Sequence, residues 1–161
     1  MMPRAPQIFV DADACPVKSE IERVAERHHM VVNIVSNGGI RPSRNPFVHS
    51  VFVPERADAA DDWIAENAGA NDIVVTADIP LAARCLKKGA RVLGPSGRAF
   101  TDDSIGMALG LRDLNRHLRE ASGAPTHNPA FTKDDRSCFL NALEIAVRAS
   151  KRAAESQPKM R

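Results

Sequence analysis

Aromatic residues are scarce in this chain, at 4% of 161 residues, with one Trp and no Tyr. That argues against a broad platform for stacking the bases of a single strand, which needs successive aromatic faces. Cysteine is nearly absent too. Cys15, Cys85 and Cys138 are odd in number and widely spaced, with no C-x-x-C pair and no His-x-x-x-His partner, so neither a disulfide framework nor a zinc site is indicated. No apolar run reaches the ~18–20 residues of a membrane span, and the first residues, MMPRAPQ, hold no apolar signal core. A reduced, cytoplasmic protein with no membrane association is the expectation. Strong charge of one sign is lacking as well: the net charge of +2 leaves any binding of polyanions to local clustering.

What is present is one domain's worth of chain, expected to span 1–161, without internal repeats or low-complexity tracts. Apolar periodicity gives strands alternating with helices. Strands are read at Ile8–Val10, Val31–Val35, Val48–Val53, Asp72–Thr76 and Arg91–Leu93. Helices are read from Val17 to about His29, from Asp58 to Asn67 and from Pro80 to Lys88, the last two closed by Gly69 and Gly89. Two further helices, Asp103 to about Glu120 and Asp134 to about Ala154, flank a Gly/Pro/His/Asn segment. This pattern predicts an α/β fold, a three-layer α/β/α sandwich around a mainly parallel sheet of about five strands, with two C-terminal helices packed on it.

Acids stand at the ends of several of these elements. The segment IFVDADACP breaks from an apolar strand into Asp11 and Asp13, and TADIPLA places Asp78 after the fourth strand. In a parallel sheet, strand ends share one edge, where ligands of open α/β sheets collect. Carboxylates gathered there call for a hard divalent cation or a retained proton. Asp58, Asp61 and Asp62 open a helix, and one of them can turn toward the same crevice. Ordinary roles compete at each position: Asp13 as a helix cap, Asp58 with Asp61 as a capping pair, Asp78 as a turn residue before Pro80.

The blocks VDADACPVK, SNGGIRPSRNP, ADAADDWI, DIVVTADIPLAARCLKKGARVLGPSGR and KDDRSCFLNAL closely resemble the YaiI/YqxD family of bacterial proteins over nearly the whole chain. More distantly the chain resembles PIN-like nucleases of the NYN branch. That resemblance implies a parallel α/β/α sandwich with acids in a fixed chain order: Asp11, then Asp58 or Asp62, then Asp78, with Asp13 and Asp103 as possible additions. It implies Asp11, Asp62 and Asp78 as the catalytic acids, and Asp11, Asp13, Asp58, Asp62 and Asp78 as ligands of Mg²⁺ or Mn²⁺. The fourth acid of many active members has no unambiguous counterpart here.

Donors for phosphate are expected from Asn37, Arg41 and Arg44 in the loop leaving the second strand, from Lys18 early in the first helix and from Arg98 in the turn after the fifth. The leading expectation is a metal-dependent phosphodiesterase acting on RNA or a related nucleic acid. Two alternatives stand beside it. Asp-x-Asp after a strand, with Ser36 ending the second strand, also resembles haloacid-dehalogenase phosphotransferases, in which the first Asp is the nucleophile. A non-catalytic metal- or RNA-binding module is the third class. Cys15, near the acids but with no His placed to activate it, reads as a small buried hydrophobe. Asp135 and Arg136 read as a family motif or as the first turn of the last helix.

Overall fold

In a computed structural model, residues 5–12, 15–38, 43–56, 58–106 and 132–156 are described. The chain runs β1 (Ile8–Asp11), α1 (Lys18–His28), β2 (Val32–Ser36), β3 (Val48–Phe52), α2 (Ala59–Asn67), β4 (Ile73–Val75), α3 (Ile79–Lys87), β5 (Arg91–Leu93), β6 (Ala99–Phe100) and α4 (Lys133–Ser156). A helical stretch also covers residues 102–106. The sheet has six strands in the order β3-β2-β1-β4-β5-β6, parallel except for β6.

A sixth, two-residue strand adds to the five expected. Ala99 and Phe100 pair antiparallel with Leu93 and Val92 across a turn in which Gly94 N–H donates to Arg98 O at 2.9 Å. Two residues are too few for alternation to show in sequence. Of the expected Asp103–Glu120 helix, residues from 107 onward lie outside the described residues.

Alternation along β1 builds the three layers. Ile8 and Val10 face one side with Val17 just before α1, Ile21 and Val24 of α1, and Phe139, Leu143 and Val147 of α4. Phe9 faces the other, with Val35 and Val74, Ile64 of α2, and Leu81 and Cys85 of α3. Because both faces are covered, β1 reads as continuous apolar sequence until Asp11. Each fully buried Ile, Val or Phe contributes about 1.5–3 kcal/mol.

Gly97 lets the β5–β6 turn meet α4. Its φ is +91°, and a Cβ there would stand 2.7 Å from the backbone carbonyl of Cys138. On the α1 side, Glu144 of α4 pairs with Arg27 at 2.6 Å and His28 at 2.5 Å, clamping the two helices together.

The strand order fixes where a site can form. From β1 the chain passes through α1 to β2 and β3 on one side, then through α2 to β4 on the other, so neighbouring loops diverge at the carboxyl ends of β1 and β4. A crevice opens at such a switch point. Among the described residues, no helix is long and apolar enough to cross a membrane.

Candidate active site

At this switch point lies a cleft of about 360 Å³, lined by Asp11, Asn37, Val53, Pro54, Arg56, Asp58, Ala59, Ala60, Asp61, Ala77 and Asp78. Four carboxylates from three parts of the chain face one space.

Asp11 is the last residue of β1. The pairing of Val10 with Val75 brings Thr76 beside it, and the Thr76 hydroxyl donates to Asp11 Oδ2 at 3.2 Å. The same hydroxyl accepts the Asp78 N–H at 3.0 Å. Thr76 thus joins the ends of β1 and β4 and orients both acids. Asp78 is the N-cap of α3, its Oδ1 accepting the Leu81 N–H at 2.9 Å. Capping and cleft-lining coexist here, since a carboxylate has two oxygens and the cap occupies one.

Asp58 sits at the N-cap position of α2, yet its side chain makes no capping bond and its backbone is left-handed, φ 64° and ψ 7°. The capping pair weighed for Asp58 and Asp61 is therefore not formed. An L residue held in that region costs on the order of 1 kcal/mol and persists only where its surroundings impose it. Here it leaves the Asp58 carboxylate to the cleft rather than to the helix end.

Asp61, in the first turn of α2, lines the cleft. Burial first, and then the charges of Asp78, Asp11 and Asp58, push its carboxyl up to about 6, against the pull of Arg84. This is the response expected of a carboxylate surrounded by others in a partly desolvated space.

Asp62, expected among the site acids, stands apart from them. It does not line the cleft; its Oδ1 accepts from Arg84 of α3 at 2.9 Å, and its Oδ2 lies 3.7 Å from Arg56. Adjacent helix positions differ by about 100°, so when Asp61 turns in, Asp62 must turn along the surface toward α3. Sequence spacing alone left the two equivalent, because both fall within one turn of Asp58.

Among the expected phosphate donors, Asn37 lines the cleft. Arg44 does not, and the reason is topological. Val32 N–H donates to Phe47 O, and Val48 N–H to Asn45 O, so the chain beside Arg44 has already returned to the amino-terminal edge of the sheet. Lys18 and Arg98 stand on the carboxyl edge but outside the cleft, at the start of α1 and in the β5–β6 turn. Asp13 and Arg41 lie outside the described residues. Asp103 is exposed in the 102–106 stretch and does not line the cleft. Ser36 is buried, its hydroxyl accepting the Gly38 N–H at 3.4 Å, and it is not a lining residue.

Asp135 exchanges hydrogen bonds with Thr132 in a capping box, at 2.9 and 3.1 Å. Arg136 donates to Pro16 O at 2.9 Å and Glu20 at 3.2 Å, tying α4 to the start of α1. Cys15 packs against the core on the α1 side, and burial pushes its thiol above the ordinary range. Sequence reasoning passed over Thr76 and Arg56; the first was legible as the residue following β4, the second carried no distinguishing signal.

Sheet order, switch-point cleft and acid lining together define an open α/β protein with a carboxylate-rich site. The chain belongs to the family described as "Uncharacterized BCR, YaiI/YqxD family", whose model matches residues 9–149. It is similar to the UPF0178 protein mlr0875 of Mesorhizobium japonicum, 58% identical over 93% of this chain and 97% of that protein. It is also similar to a UPF0178 protein of Parvibaculum lavamentivorans, 60% identical over 91% and 96% respectively, and to UPF0178 protein Atu1478 of Agrobacterium fabrum, 57% identical over 94% and 99%. No solved structure matches the chain.

Proposed function

We propose that this chain is a divalent-metal-dependent phosphodiesterase acting on RNA or a related nucleic acid. The observation that carries the reading is the convergence of Asp11, Asp58, Asp61 and Asp78 on one cleft, where burial and then the neighbouring acids raise Asp61 to about 6. Independent helix capping requires no such convergence, and Asp58 forgoes its cap altogether.

The donor set suits Mg²⁺ or Mn²⁺ in kind, since it is made of hard oxygens. Among the described residues no three His, Cys, Asp or Glu side chains are grouped closely enough to hold one ion by themselves. That spacing suits a cation that keeps several waters and takes only one or two carboxylates directly, as Mg²⁺ does. Asp11, Asp58, Asp61 and Asp78 are the carboxylates that would hold the ion, one or two of them directly. When bound, it would supply a water nucleophile at neutral pH and offset charge on the scissile phosphate.

The chain's own residues set the frame for this. Thr76 fixes Asp11, the α3 amino terminus fixes Asp78, and Asn37 offers an amide at the rim. A cation entering beside Asp61 would favour its charged form and offset the repulsion of its neighbours.

Purified protein incubated with RNA and Mn²⁺ is expected to cleave, and Asp11→Asn to abolish cleavage. Cleavage that survives Asp11→Asn overturns the assignment; Mn²⁺ and RNA binding without cleavage moves the chain to the binding-module class. The phosphotransferase alternative draws less support, because the Ser36 hydroxyl that its second motif requires does not reach the cleft.

A further inference from the structure

Arg56 is the one cationic side chain lining the cleft among the described residues. Its backbone is pinned on both sides: its N–H donates to Pro54 O at 2.9 Å, and its carbonyl accepts from Ala59 N–H at 3.3 Å. Its side chain is not pinned. The side chain is 62% exposed, and its contact with Asp62 Oδ2, at 3.7 Å, is too long for a hydrogen bond.

Arg84 shows what a committed partner looks like. It donates to Asp62 Oδ1 at 2.9 Å and occupies the nearer half of that carboxylate. Arg56 is left with a loose electrostatic tether at the rim, its planar fork of donors unspent. An arginine whose only task was to neutralise the four acids would reach them; this one is drawn outward, to the acid that lies outside the cleft.

We propose that Arg56 is the phosphate anchor of this site, binding a phosphate of the nucleic-acid strand bidentately, with Asp62 as the positioning residue that holds it at the rim between turnovers. The inference rests on the phosphodiesterase reading above and adds a residue that specifies how the substrate is held. It also accounts for Asp62, which faces Arg56 and Arg84 instead of the carboxylate cluster. A phosphate entering the cleft meets acids on the inner side, which repel it without a cation, and Arg56 on the outer side, which attracts it in either case.

The test uses a fluorescently labelled single-stranded RNA 12-mer, with anisotropy read in Mn²⁺ across a salt series in the Asp11→Asn background, where cleavage is expected to be abolished, and cleavage kinetics on the same oligomer with Asp11 intact. Arg56→Gln is expected to weaken binding about tenfold and to reduce the slope of log affinity against log salt by about 0.7, the loss of one single-strand phosphate contact. In the kinetics KM rises while kcat changes little. Arg56→Lys is expected to keep the salt slope and recover only part of the affinity, because an ammonium cannot form the paired contact. Unchanged affinity and slope in Arg56→Gln would overturn the anchor while leaving the nuclease reading intact if the parent protein cleaves. Tighter Mn²⁺ binding in Arg56→Gln with unaltered RNA affinity would make Arg56 a mere counter-charge, and equally overturn the proposal. Absence of both RNA binding and cleavage in the parent protein would remove the nuclease reading and this inference with it.

Discussion

At the scale of single residues, the conflict between stability and site is plainest at Asp58. Its left-handed backbone favours glycine, and its side chain returns no capping bond. Asp58→Gly is therefore expected to stabilise the fold by up to about 1 kcal/mol while lowering Mn²⁺ affinity; Asp58→Ala, which keeps the strain, gains no such stability. Urea unfolding of the two variants, beside metal titration, separates backbone from carboxylate. Asp61 gives the complementary case in pH. Its carboxyl titrates at about 6 in the fold against an ordinary 3.8, so between those values the folded chain holds more protons than the unfolded one. Stability from this group is greatest below about pH 4, falls as pH rises through that window, and stays reduced above 6. Asp61→Asn is expected to flatten this fall, so that the variant gains on the parent between pH 4 and 6 in denaturant midpoints measured across pH.

Among the elements, the short strand ends and helix starts do more than the long helices to build the cleft. Strand β1 is legible as an apolar run because both its faces are covered, and the acid that stops it marks the sheet edge. The β4–α3 junction is legible in part: the strand ends at an acid before a proline, but Asp78, weighed as a turn residue, proves to be the N-cap of α3. Helix α2 is not legible to the same degree. Asp58, Asp61 and Asp62 are interchangeable in a pattern, and only the packing of α2 against α3, where Arg84 takes Asp62, decides which faces inward. The β5–β6 turn was likewise hidden, its second strand being two residues long. Its junction with α4 rests on Gly97, where a Cβ would meet the Cys138 carbonyl at 2.7 Å and φ is +91°. Helix backbone cannot yield there, so Gly97→Ala is expected to destabilise by about 2 kcal/mol or more, read as a lower midpoint in chemical unfolding.

Over the whole molecule, the two layers of helices hold the sheet so that its carboxyl edge stays open at the switch between β1 and β4. The acids gathered there destabilise one another, and a cation bound among them would remove that repulsion. Mn²⁺ at about a hundred times its dissociation constant is expected to stabilise the folded chain by about 2.7 kcal/mol, seen as a rise in thermal midpoint. The rise should vanish in Asp11→Asn combined with Asp61→Asn. A rise that persists in that double variant would place the ion elsewhere.

Local pattern was enough to establish the alternating α/β architecture, the parallel core and the shared edge of Asp11 and Asp78, because strand direction and apolar periodicity are properties of short segments. It could not say which helix acid turns inward, that Arg44 lies at the far edge, or that Arg56 lines the cleft. Those depend on the rotation of α2 against α3 and on the path of loops between strands, which are set by contacts among residues distant in sequence.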